Sequence, residues 1–126
     1  MTGEQVLVVE DNEMNMKLFR DILVATGYRT LEATTGGAAV EMASEHTPDL
    51  VLMDIQLPDL DGVQALYRLR ANARTATIPV LALTAQAMRG DRERFLAEGF
   101  DGYVSKPVNV RELIDIVAQH CEGRIG

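Results

Sequence analysis

Three runs of four apolar residues, Val6 to Val9, Leu50 to Met53 and Val80 to Leu83, constrain the fold more than anything else in this chain. Each is too short for a helix and lacks the polar alternation of a half-exposed strand. They are therefore predicted to be strands buried on both faces, which belong in the middle of a parallel sheet covered by helices above and below. Two further segments, Arg29 to Ala33 and Gly102 to Ser105, mix polar and apolar residues and suit the edges of that sheet.

Helical patterns fill the gaps between strands. In the last, Val110, Leu113, Ile114, Val117, Ala118 and Cys121 fall on one stripe, with Asn109 as the cap and Glu112 three residues on, a capping-box-like start. The first helix, about Glu13 to Thr26, stacks Asn15, Leu18, Ile22 and Ala25 in a row beside Met16, Phe19 and Leu23, and Gly27 ends it. Further helices are predicted at about Gly36 to Ser44, Gly62 to Asn72 and Asp91 to Glu98, the last stopped by Gly99. Five strand–helix units give an α/β, doubly wound five-stranded parallel sheet. The mixed edge strands favour the order 2-1-3-4-5. At 126 residues, residues 1–126 are read as one domain with nothing left over for a second.

Composition narrows the function. A net charge of -7 argues against nucleic acid as a partner, because phosphate contacts need clustered Lys and Arg. Cys121 is the only cysteine, so no disulfide forms within the chain, and no signal-peptide pattern opens it. No apolar run approaches the roughly 20 residues of a membrane helix. A cytoplasmic protein without membrane attachment is expected.

In doubly wound sheets, ligands sit at the carboxyl ends of the strands, where the winding reverses. The residues there are Glu10 and Asp11, then Asp54, then Thr84, with Lys106 just past the fifth strand. Two like charges about 4 Å apart repel by roughly 4 kcal/mol at an effective dielectric of 20, so three ionised carboxylates need compensation. A cation supplies it. Oxygen donors without His or Cys select a hard ion such as Mg2+. With metal and Lys106 in place, the oxygens of a transferring phosphoryl group are neutralised while a carboxylate attacks. Taken singly, each residue also has an ordinary reading. Glu10 and Asp11 read equally as helix-start charges, and Thr84 as turn chemistry. Asp54, after four apolar residues, resists such a reading, because an uncompensated charge there is costly. The joint placement at four strand ends carries the argument.

These residues carry a family resemblance over the whole chain. VLVVEDNEMN (Val6 to Asn15), LVLMDIQLPDLDG (Leu50 to Gly62), Thr84-Ala85 and Tyr103-Val104-Ser105-Lys106-Pro107 resemble the motifs of response regulator receiver domains, whose fold is the flavodoxin-like, CheY-like three-layer sandwich. VEDNEMNMKLF and LMDIQLP are most similar to DivK-like single-domain regulators of the cell cycle.

The resemblance implies that Asp54 takes a phosphoryl group from a sensor histidine kinase or histidine phosphotransferase. Asp11 and Asp54 would ligate Mg2+ (or Mn2+) directly, Glu10 through water, and Gln56 through its backbone carbonyl. Lys106 would pair with phosphoryl oxygens, and the peptide before Pro107 would be cis. Thr84 and Tyr103 would form the switch that remodels the face of the fourth helix, fifth strand and fifth helix for a downstream protein. Glu10 stands where many receivers have Asp. Gln56 and Gln86 occupy positions that tune hydrolysis. Met14, beside the site, is either core or a kinase contact. His46 and His120 do not look like phosphodonors, and Gly36-Gly37 and Asp61-Gly62 read as helix-start and turn devices. The chain is thus expected to be a receiver without an output domain, and not an enzyme beyond self-catalysed phosphorylation and dephosphorylation. A haloacid-dehalogenase-like phosphatase fits poorly, because its acceptor follows the first strand. A flavodoxin-like carrier needs a phosphate loop that Glu10, Asp11 and Asn12 would repel.

Overall fold

The computed structural model describes residues 3–85 and 91–122. Strands β1 (Gln5–Val9), β2 (Arg29–Ala33), β3 (Leu50–Asp54), β4 (Val80–Thr84) and β5 (Gly102–Ser105) alternate with helices α1 (Glu13–Ala25), α2 (Gly36–His46), α3 (Gly62–Ala71), α4 (Asp91–Glu98) and α5 (Val110–Glu122). The strands form one sheet in the order β2-β1-β3-β4-β5, with every pair parallel. Both the expected order and the expected element positions hold.

The apolar runs are fully buried, and successive residues serve opposite layers. Val6, Val8, Leu50, Leu52, Leu81 and Leu83 pack with α1 and α5 through Phe19, Leu23, Leu113 and Val117. Leu7, Val9, Val51, Met53, Val80 and Ala82 pack with α2, α3 and α4 through Ala39, Leu66, Leu69 and Phe95. Period-two geometry thus turns one apolar run into two cores. Within the wide face expected for α1 the structure buries one part more deeply than the other. Its buried residues are Met16, Phe19, Ile22 and Leu23, whereas Leu18 is 40% exposed and Met14 81% exposed. Of the row Asn15, Leu18, Ile22 and Ala25, Ile22 joins the buried stripe and the others flank it.

Caps set where helices begin. Asn12, Thr35 and Asp61 each accept a hydrogen bond from the backbone N–H three residues on, at the starts of α1, α2 and α3, and Asn109 does so for α5. At the opposite end of the molecule Arg70, near the end of α3, acts as a bracket. Its guanidinium donates to Ala76 O at 3.2 Å, Ile78 O at 2.6 Å, Gly99 O at 3.1 Å and Asp101 Oδ2 at 3.0 Å, and the same Asp101 oxygen accepts from Val80 N at 2.8 Å. Arg70→Ala is expected to lower stability by about 1.5 kcal/mol, since carbonyls that now accept a charged donor must turn to water. A lower urea midpoint with an unchanged slope would show it, and an unchanged midpoint would refute it.

No described helix is long and apolar enough to cross a membrane.

Candidate functional site

Parallel pairing brings the carboxyl ends of the three central strands and of β5 to one rim. Glu10 follows β1 and is fixed there by its backbone N–H, which donates to Ala33 O on β2 at 3.0 Å. Asp54 closes β3, Thr84 closes β4, and Lys106 follows β5 with its N–H on Thr84 O at 2.8 Å. Glu10, Asp11, Asp54, Gln56, Thr84 and Lys106 line a cleft of about 400 Å³. Every residue predicted for the metal and the phosphoryl group therefore meets in one place.

Glu10, at 1% exposure, and Asp54, at 5%, are acids in a position where water compensates little. Their partners are specific. Lys106 Nζ donates to Asp54 Oδ2 at 2.8 Å. It also meets Glu10 Oε1 at 2.7 Å as an ion pair. Gln56 N donates to Asp54 Oδ1 at 2.9 Å, and Asn12 N donates to Glu10 Oε2 at 3.1 Å. Burial pushes the Glu10 carboxyl above its ordinary range, and the nearby Asp54 charge adds to this, against the pull of Lys106 and of the Asn12 N–H. Burial favours the neutral amine at Lys106, but the hydrogen bonds and charges of Asp54 and Glu10 outweigh it and hold the ammonium above its usual value.

One ammonium does not balance the cluster. Ligand atoms of Glu10, Asp11 and Asp54 lie within 4.8 Å of one another, and Asp11 is exposed toward solvent. Hard oxygen donors and a surplus of negative charge together fit a small divalent cation.

Thr84, 6% exposed, borders the cleft. Tyr103 on β5 is half-buried beside α4, its ring 6.2 Å from that of Phe95. The Lys106–Pro107 peptide is cis, as expected. Gln86 lies outside the described residues. His46 is exposed at the end of α2, and His120 Nδ1 lies 2.9 Å from Ile116 O; neither lines the cleft.

Two features escape sequence reasoning. Gly62 N donates to Ile55 O at 2.8 Å, which pulls the start of α3 against β3. A Cβ on Gly62 would sit 2.6 Å from Asp54 O and 2.9 Å from Ile55 Cα. This glycine is thus required by close approach, not by turn conformation. Asp59 is the second, with Oδ1 accepting from Gly36 N at 2.8 Å and Oδ2 from Gly37 N at 2.9 Å. These two hydrogen bonds hold its carboxyl below the usual carboxylate range. The Gly-Gly and Asp-Gly pairs were the available signals, but both also fit plain turns.

The sequence and the fold have known counterparts. The family described as response regulator receiver domain matches residues 6–118. The polar-differentiation response regulator DivK of Brucella ovis is 45% identical over 117 residues, covering 93% of this chain and 95% of that protein. The receiver domain of sensor histidine kinase PA1611 from Pseudomonas aeruginosa PAO1, whose crystal structure holds a magnesium ion coordinated in the active site cleft, is 37% identical with a TM-score of 0.88. That likeness covers 96% of this chain and 99% of that one. Chemotaxis response regulator CheY4 of Vibrio cholerae, 24% identical, shares the fold with a TM-score of 0.88 over 94% of this chain and 99% of its own. With the acidic cleft and the 2-1-3-4-5 sheet, these likenesses lead to one statement: this chain belongs to the response regulator receiver domain family.

Proposed function

We propose that this chain acts as a single-domain response regulator in which Asp54 accepts a phosphoryl group and the altered surface is read by another protein. The observation that carries it is the buried Asp54 carboxylate, bridged with Glu10 by Lys106 and within ligand distance of Asp11. The DivK relative, matched over 95% of its own length, supports a stand-alone role, in polar differentiation or related cell-cycle control.

An Asp54 oxygen attacks the phosphorus of a kinase or phosphotransferase phosphohistidine. The new O–P bond forms as the P–N bond breaks, and its electron pair leaves on the imidazole nitrogen, which takes up a proton. Asp11, Asp54 and the Gln56 carbonyl would hold Mg2+, with Glu10 acting through water, and the ion when bound would supply charge neutralisation for the incoming oxygens. Lys106, already 2.8 Å from the acceptor carboxylate, exchanges that contact for the phosphoryl oxygens. The Thr84 hydroxyl donates to the group, and Tyr103 follows inward, shifting the population of the α4-β5-α5 face seen by the downstream target. This is one self-catalysed transfer and a slow self-catalysed loss, not turnover.

The donor has a surface to meet. Exposed Met14 and Leu18 stand beside the cleft that Asn15, Leu18, Pro107 and Val108 line next to Lys106, and apolar contacts of this kind suit a partner helix. Exchange with such kinases places the function in the cytoplasm.

Intact mass after incubation with acetyl phosphate tests the reading. One added phosphoryl group is expected in the wild type with Mg2+, none in EDTA, and none in Asp54→Asn. Equal labelling of Asp54→Asn, or no labelling of the wild type, would overturn it.

A further inference from the structure

The segment from Asp54 to Gly62 both begins with the acceptor and carries Gln56, so its shape decides how the cleft presents its oxygens. Its two ends are tied together by the Gly62 N–Ile55 O bond at 2.8 Å, and Gln56 N donates to Asp54 Oδ1 at 2.9 Å. Between those ends the loop reaches a separate helix. There the Asp59 carboxylate straddles the first turn of α2, accepting from Gly36 N at 2.8 Å and Gly37 N at 2.9 Å. The fit is close, because a Cβ on Gly36 would lie 2.9 Å from Leu60 Cβ and one on Gly37 3.2 Å from Asp59 Oδ2. Two charge-assisted hydrogen bonds at a helix amino terminus make an anchor of defined direction rather than a loose surface contact.

The helix gains less from this contact than the loop does. Helix α2 already has a cap in Thr35, whose Oγ1 accepts from Ala38 N at 3.1 Å. The β3–α3 loop, by contrast, joins α2 through Asp59 across a separation of 22 and 23 residues.

We propose that Asp59 is a positioning residue for the cation: by docking the loop onto α2 it holds the Gln56 backbone at the geometry that Mg2+ requires. The inference rests on the proposed metal site. Outer contacts that orient metal ligands typically alter affinity by about 10–100-fold. Asp59 acts through the peptide backbone three residues away, so the lower end of that range applies.

Isothermal titration of Mg2+ into the full chain, with far-UV circular dichroism to verify folding, tests it. Asp59→Ala is expected to weaken Mg2+ binding about tenfold. Asp59→Asn, which keeps one acceptor oxygen, should lie between Asp59→Ala and wild type. Acetyl phosphate uptake at saturating Mg2+ should stay within about twofold of wild type, because the acceptor and Lys106 are untouched. Thr35→Ala removes a cap from the same helix without touching the loop, and should leave Mg2+ affinity unchanged while lowering the melting temperature.

Unchanged Mg2+ affinity in both Asp59 variants would overturn the proposal. So would an equal loss in Thr35→Ala, which would make the effect one of helix stability. A wild type that neither binds Mg2+ nor takes a phosphoryl group would remove the metal site itself. A wild type that does both, beside unaffected Asp59 variants, would remove only the positioning role.

Discussion

Lys106→Ala is expected to destabilise the metal-free protein by about 3–5 kcal/mol at pH 7, the usual result of removing one partner from a buried charge cluster. The ammonium touches two acids that are almost wholly buried, Glu10 and Asp54, and both lose their compensation together. The pH dependence identifies the cause. Glu10 has a raised pKa, so its neutral form is favoured in the folded protein, and ionising it costs stability as pH rises above 4.5 through the folded value. Without Lys106 that cost grows, so the penalty of the substitution should be larger at pH 7 than at pH 4.5. In the wild type the Lys106 contribution is complete below 10.5 and disappears as pH rises through its raised folded value. Urea unfolding in EDTA at the two pH values measures the difference, and Mg2+ should recover part of the loss at pH 7. A penalty equal at both pH values would mean that the lysine stabilises through its aliphatic stem, not its charge. Phosphoryl uptake should fall about 10²–10³-fold, as when one preorganised stabilising donor is lost.

Gly62→Ala is the second large effect. In an open helix start this change would stabilise by up to about 1 kcal/mol. Here the new methyl meets backbone on two sides, at 2.6 Å from Asp54 O and 2.9 Å from Ile55 Cα. Neither neighbour is a side chain that can turn away. The start of α3 must move off β3, the Gly62 N–Ile55 O bond must lengthen, and stability should drop by about 2–3 kcal/mol. Because the displaced atoms belong to the acceptor residue and its neighbour, phosphoryl uptake should fall at least about tenfold as well. A melting temperature at or above that of the wild type would contradict the close approach.

The fold was largely legible in the sequence because a parallel sheet covered on both faces leaves a coarse mark. Val6–Val9, Leu50–Met53 and Val80–Leu83 have no alternative environment consistent with their length. The site was legible for a related reason: the 2-1-3-4-5 order gathers strand ends, so Glu10, Asp11, Asp54, Thr84 and Lys106 had to converge. Long-range polar geometry was not legible. Arg70 meets Asp101 across 31 residues and Asp59 meets Gly36 across 23, and neither arginine near a helix end nor aspartate in a loop marks its partner. Nor was it legible which part of the wide face of α1 docks on the sheet. Residues 15, 18, 22 and 25 and residues 16, 19 and 23 form neighbouring, mostly apolar rows, and only docking on the sheet decides that Phe19 and Leu23 go in while Leu18 looks out.

The Arg70 bracket bears on how a signal can travel. Its guanidinium ties the end of α3 to the segment entering β4 and to the turn entering β5, at the pole of the molecule farthest from Asp54. Strands β4 and β5 are therefore pinned by a charged side chain where they begin, whereas at the rim Lys106 N on Thr84 O at 2.8 Å joins one end to the other. A rearrangement of Thr84 and Tyr103 of the kind proposed would pivot about that pin, like a lever with its fulcrum at the quiet pole, with displacement growing toward the acidic rim while the bottom of the sheet stays in register.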